Sequence, residues 1–124
     1  MESLVPPAIC HHGRIRVATE RAMEFVDLTA PIEALATQAR IRAGIVNIHS
    51  QHAATAIVLA EHEPLLLSDF DALLPGSSMS LNLANGYLQL GRRQRVFLVD
   101  LDGPRVCEVS VLVLDNQEPS VIRT

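Results

Sequence analysis

GIVNIHSQHAATAIVLAEHEP, Gly44 to Pro64, is the stretch on which the fold turns. Gly44 to His49 predicts one strand, and the β-branched and aliphatic run Thr55 to Glu61 predicts another. Three histidines, His49, His52 and His62, sit in or beside these apolar runs. On a regular strand, positions i and i+3 point to opposite faces. His49 and His52 can therefore share an ion only if the chain bends at Ser50-Gln51. His49 is read as an ordinary strand residue. His62, followed by Glu63-Pro64, reads as an exposed residue at a helix entry. His52 has two readings: a metal ligand or proton carrier, or a strand-edge histidine whose nitrogens are satisfied.

Outward from this stretch, the periodicity changes. Pro64 to Leu74 has helical spacing, with Leu66, Phe70, Leu73 and Leu74 on one face, and Pro75-Gly76 stops it. Upstream, Arg14 to Thr19 alternates and Met23 to Leu28 follows as a second strand. Thr29 predicts a helix N-cap, with Pro31 in the first turn and Glu33 near the positive end of the dipole. Ile32, Leu35, Ala36 and Ala39 extend an amphipathic helix over Ala30 to Ala43, with Gly44 as its C-cap. Downstream, Asn85-Gly86 between alternating segments is a type I′ hairpin signal. That turn pairs Leu83 with Leu88 and Leu81 with Leu90 on one face. Arg95 to Leu101 and Arg105 to Leu114 predict two more strands, joined by a turn at Asp102-Gly103-Pro104. Both are apolar on two faces, which predicts helices over one side and a partner subunit over the other. The order β-β-α-β-β-α-β-β-β-β predicts an α+β fold, with a mainly antiparallel sheet and two helices in a single domain over residues 1–124.

Composition narrows the function. The chain has 124 residues, 48% of them hydrophobic, a net charge of −4 and no lysine. A basic surplus is missing and aromatics are 3% of the chain, so neither a phosphate-backbone footprint nor a base-stacking platform is expected. No nucleic-acid partner is predicted. No apolar run reaches the roughly 20 residues that span a bilayer, and MESLVPPAIC does not read as a signal peptide. The expected compartment is the cytoplasm, with Cys10 and Cys107 as free thiols. Cys107 alternates with Val109 and Val111, as a buried small hydrophobe would.

The order of short motifs resembles the YjbQ-like family, whose members have been described as secondary thiamine-phosphate synthases. Glu24 to Thr29 (EFVDLT) is similar to the family's entry into its first helix, and Arg40 to Ile48 (RIRAGIVNI) to the helix end and next strand. Gln51 to Glu61 (QHAATAIVLAE) resembles its His-Thr-Thr-Ala-Ala stretch closing on Asn-Glu. Gly76 to Gln94 resembles its Gly-Ser-Ser strand, Asn-Gly turn and Leu-Gly-x-Trp-Gln, and Asp102 to Arg105 its final hairpin. Ala53 and Ala54 stand where the family has two threonines, Ala60 where it has the Asn, and Arg93 where it has the tryptophan. Only Leu74-Pro75-Gly76 bridges elements between which family members carry a segment with further histidines.

The resemblance implies a homotrimer with a histidine-rich pocket. It also implies a reaction joining a pyrimidine diphosphate to a thiazole phosphate. It points to His52 as metal ligand or proton carrier, and to Glu61 as general acid or base or as the group orienting His52. Gln94 and Arg105 fall on family positions as substrate-binding residues, and the planar fork of Arg105 suits a phosphate. The plain alternative for Glu61 is a carboxylate at a strand end, and for Arg105 an ion pair beside a turn. A divalent ion, zinc or magnesium, is expected only if neighbouring chains bring ligands to His52, because one chain offers too few. The alternative of a different class is a non-catalytic, degenerate homologue that serves as an anion-binding or structural trimer.

Overall fold

The computed structural model describes residues 10–61 and 77–116. Eight strands and one helix are present among them: β1 (Cys10–Ala18), β2 (Glu24–Asp27), α1 (Thr29–Gln38), β3 (Gly44–Ser50), β4 (Thr55–Glu61), β5 (Ser77–Ala84), β6 (Tyr87–Leu88), β7 (Gln94–Asp100) and β8 (Val106–Asp115). The helix expected over Pro64 to Leu74, His62, and the Leu74-Pro75-Gly76 bridge lie outside the described residues. Among the described residues one helix is observed, where two were expected for the whole chain.

All pairings are antiparallel. One sheet has the order β1-β8-β3-β5-β6, the other β2-β7-β4. Alternation on the central strands explains the core. Val46 and Ile48 of β3 and Cys107, Val109, Val111 and Val113 of β8 are buried on one face of the larger sheet. They join Ile57, Val96 and Leu98 of the smaller sheet and Ile32 and Ala36 of α1 in one cluster. The other face of the larger sheet carries His12, Arg14, Arg16, Asn47, His49, Ser80, Glu108 and Ser110, in the polar phase of the same alternation. β8 is thus not apolar on two equal faces: it buries one face within the chain and turns Glu108, Ser110 and Leu114 outward, whereas β7 buries the consecutive residues Leu98 and Val99 on both of its faces.

Local chemistry departs from expectation at both ends of α1. Thr29 is buried, and its Oγ1 accepts from the Val96 N–H at 2.8 Å, so it anchors the helix to β7. The N-terminal donor is met by Asp27, whose Oδ1 accepts from the Thr29 N–H at 2.9 Å. Glu33 reaches across to accept from the Leu88 N–H at 2.8 Å instead of serving the helix's first turn. The helix stops at Gln38, well short of Ala43. Arg40 takes the left-handed conformation (φ 60°), with Ile41 N–H bonding Ala36 C=O and Arg40 N–H bonding Thr37 C=O. This is the Schellman arrangement, with arginine where glycine is usual. Gly44 has a different task. At φ 153° it opens β3, and a Cβ there would stand 1.8 Å from the Leu114 carbonyl oxygen. The Asn85-Gly86 turn forms as predicted, with φ of 56° and 83°, and Leu83 pairs with Leu88. Regular pairing ends there, so Leu81 and Leu90 pack beside the core without a ladder partner in β6.

Candidate functional site

A cleft of about 530 Å³ opens on the polar face of the larger sheet, lined by His12, Arg14, His49, Gln51, His52, Glu108 and Ser110. It exists because the chain does bend after His49. β3 ends at Ser50, and residues 51–54 turn before β4, with Ala54 left-handed at φ 60°. The turn is stapled from inside. Thr55 Oγ1 donates to the His52 carbonyl at 2.6 Å, so Ser50 Oγ must be the donor in its own 2.6 Å bond to Thr55. His49 stands on β3, paired regularly with Ser78 and Ser110, and the bend after it lets His49 and His52 line one cleft.

His52 also completes the sheet. The β3–β8 ladder ends at the Ser50–Val109 pair, and the next N–H on that edge of β8, from Glu108, is taken by His52 Nε2 at 3.0 Å. A backbone N–H can only donate, so Nε2 accepts and the neutral ring carries its proton on Nδ1. This does not fit metal ligation. Coordination at Nδ1 would move the ring proton to Nε2, aimed at the Glu108 N–H. Among the described residues, no group of three or more His, Cys, Asp or Glu side chains is arranged to hold a metal ion.

Arg105 belongs to a different region. Its guanidinium donates to Asp100 through Nε (3.2 Å to Oδ1) and Nη2 (3.0 Å to Oδ1), and Nη2 also donates to the Ala53 carbonyl. Asp100 has no exposed side-chain surface. Burial pushes its carboxyl up. The Asp102 N–H (3.1 Å), the Thr19 hydroxyl (2.8 Å) and the Arg105 guanidinium outweigh that and hold it below the usual carboxylate range. The same hydrogen bond to Asp100 raises Arg105 above its ordinary value, although burial opposes it. Cys107, fully buried as expected, lies with Sγ 3.8 Å from Asp100; burial, then the Asp100 charge, pushes its thiol up. Arg105 therefore holds the turn that presents His52, and Leu101 N–H fixes the same turn through the Ala54 carbonyl at 2.9 Å.

Glu61 and Gln94 are brought together, but elsewhere. They are cross-strand partners at the end of β4 and the start of β7. Six residues of strand, at about 3.3 Å each, put Glu61 about 20 Å from Thr55 and the His52 turn. Gln94 is engaged locally, its Oε1 accepting from the Gly91 N–H at 2.8 Å. One chain thus places His52 near Arg105 and Glu61 beside Gln94, with no common pocket for the four.

Arg14, Glu108 and Ser110 were not singled out in the sequence, and the role of His12 was left open there. Their signal was available in the polar positions of two alternating strands, at residues 12, 14 and 16 and at 108 and 110. Arg16 Nη2 lies 3.2 Å from Glu108, Arg14 Nη1 lies 3.7 Å from it, and both arginines are largely exposed.

The sequence profile described as UPF0047 protein YjbQ-like matches residues 13–76. The chain belongs to the YjbQ-like family. A UPF0047 protein of Methanothermobacter thermautotrophicus is 30% identical over 122 residues, covering 77% of this chain and 85% of that protein. Another UPF0047 protein, from Archaeoglobus fulgidus, is 27% identical, covering 81% and 98% respectively. Among solved structures, a YbjQ-like protein of unknown function from Sulfolobus solfataricus P2 superposes with a TM-score of 0.74 at 26% identity, covering 89% of this chain and all of that one. The mainly antiparallel architecture is thus the family's. No helix among the described residues is long and apolar enough to cross a membrane.

Proposed function

We propose that this YjbQ-like protein binds a small phosphate-bearing molecule in the cleft between β1, β8 and the 51–54 turn. One observation supports the reading most. His52, whose Nε2 is taken by the Glu108 N–H so that its other ring nitrogen is a donor, and Arg14, with a long contact of 3.7 Å to Glu108, both line the cleft. Arg105, bound to Asp100, takes no part except to hold the turn. The test is a titration with inorganic phosphate, followed by amide chemical shifts. Saturable shifts on β1, β8 and residues 49–54, weakened about tenfold by Arg14→Ala and by added salt, are the expected result. Shifts that are absent at millimolar phosphate, or map elsewhere, would refute it.

A second reading keeps the transferase chemistry of thiamine-phosphate synthase type. It is favoured by the pairing of Glu61 with Gln94, which gathers two family positions at one exposed sheet end. In that reading the protein is a homotrimer, and the Glu61 end of one subunit closes on the His52 cleft of the next. Ile45 and Leu114, cross-strand partners that are 48% and 39% exposed, supply an apolar contact for such assembly. Light scattering should then give a trimer, disrupted by Ile45→Asp. Product from a pyrimidine diphosphate and a thiazole phosphate should vanish in Glu61→Ala while phosphate binding stays. The two unpaired cysteines suit the reducing cytoplasm as the compartment.

A further inference from the structure

Ser110 lies on β8 with a charged or titratable neighbour on each side. Its cross-strand partner on β1 is Arg14 and its partner on β3 is His49. His12, two residues before Arg14, reaches it diagonally, with Nε2 2.7 Å from Ser110 Oγ. All four side chains line the cleft. A serine on the polar face of a sheet needs no protein partner, because water satisfies it. This one is held instead by an imidazole nitrogen, at the separation that marks a nucleophile and its base. The alternative, a hydroxyl and a ring bonded only to tidy a polar surface, would leave no reactivity at Ser110.

We propose that Ser110 is a nucleophile and His12 its general base, acting on small carboxylic esters that enter the cleft. The Ser110 oxygen attacks the ester carbonyl carbon as its proton passes to His12 Nε2. The carbonyl oxygen takes the negative charge beside the Arg14 guanidinium. When the C–O bond to the leaving group breaks, His12 returns the proton to the departing alkoxide, leaving an acyl-serine. Water attacks that ester with His12 again taking the proton, then returning it to Ser110 as the carboxylic acid leaves. Atoms and protons balance with water as the only co-reactant. His52, bonded through Nε2 to Glu108 N–H, has no free lone pair for the base role, and that points to His12. The inference concerns the same cleft as the binding reading but does not depend on phosphate.

The experiment is labelling of the folded full chain with a fluorophosphonate, in which the serine oxygen displaces fluoride from phosphorus. The expected result is one adduct per chain, on the peptide that contains Ser110, absent in Ser110→Ala. A positioned base contributes roughly 10²–10⁴-fold, so labelling of His12→Gln should be at least about 100-fold slower at an unchanged melting temperature. No adduct on Ser110, an adduct only elsewhere, or His12→Gln labelling at the wild-type rate would overturn the proposal. Phosphate titration of the same samples separates the two readings. Binding without labelling sinks only the nucleophile, and labelling without binding sinks only the phosphate reading.

Discussion

Two regions of this molecule share one turn and use arginine in opposite ways. Beneath residues 52–54, Arg105 meets a carboxylate with no exposed surface, and every donor aimed at Asp100 is accounted for. Above the turn, Arg14 and Arg16 reach Glu108 across the solvent face of the sheet. Among the described residues, no buried side-chain nitrogen or oxygen lacks a partner. The buried region is closed chemically and fixes geometry. The open region has donors and acceptors that solvent or a ligand can reach, and chemistry belongs there.

The sharpest way to break this contrast is to remove each arginine in turn. Arg105→Ala leaves Asp100 buried without its counter-charge and should cost about 3–5 kcal/mol. Arg14→Ala should change stability by less than about 1 kcal/mol, since exposed pairs contribute little. Urea denaturation of both variants measures the difference, and equal losses would mean that the two regions are not distinct in kind. Next in size is Gly103→Ala. A Cβ there would stand 2.2 Å from the Arg21 carbonyl oxygen and 2.7 Å from Thr19 Oγ1. The backbone around Asp100 must shift, at a cost of about 1–3 kcal/mol, whereas Gly86→Ala would meet no atom and suffer only its positive φ.

Acid sharpens the contrast further. Asp100 and Asp27 are both held below the usual carboxylate range. For Asp27, burial opposes the shift, and the hydrogen bonds from Arg95 and the Thr29 N–H outweigh it. A carboxyl depressed in the folded state contributes stability that is present above its unfolded value, near 3.9. That contribution is lost as pH falls through the lower folded value. Denaturation midpoints should therefore drop below about pH 4, and Asp100→Asn should flatten that drop while lowering stability at neutral pH. The smallest effect is expected at the boundary of the two regions. His52→Ala frees the Glu108 N–H just past the end of the β3–β8 ladder and should cost about 1 kcal/mol. Hydrogen exchange should quicken at Glu108 and leave Val111 unchanged.

Much of the fold was legible because it depends on short-range chemistry. β4 runs from Thr55 to Glu61 as its β-branched run requires, and Asn85-Gly86 turns where two positive φ values are needed. Cys107 is buried as its alternation with Val109 and Val111 implied. The end of α1 was misplaced because nothing in Arg40 announces a left-handed residue. It adopts that form to let Ile41 reach the core, where it is buried. The site was less legible. His52 lies in the turn between β3 and β4, and its role in capping Glu108 follows from where β3 ends on β8, a contact between residues 56 positions apart.

By itself, then, the sequence determined the periods, the turns and the family, since each is written in neighbouring residues and their order. Tertiary structure alone decided which polar groups meet. Asp100, Thr19 and Arg105 converge because β7, β1 and the loop before β8 pack together. His12, Ser110 and His49 converge because the sheet order sets β8 between β1 and β3. Strand order and register arise from burying one face of every strand at once, and no local stretch contains that condition.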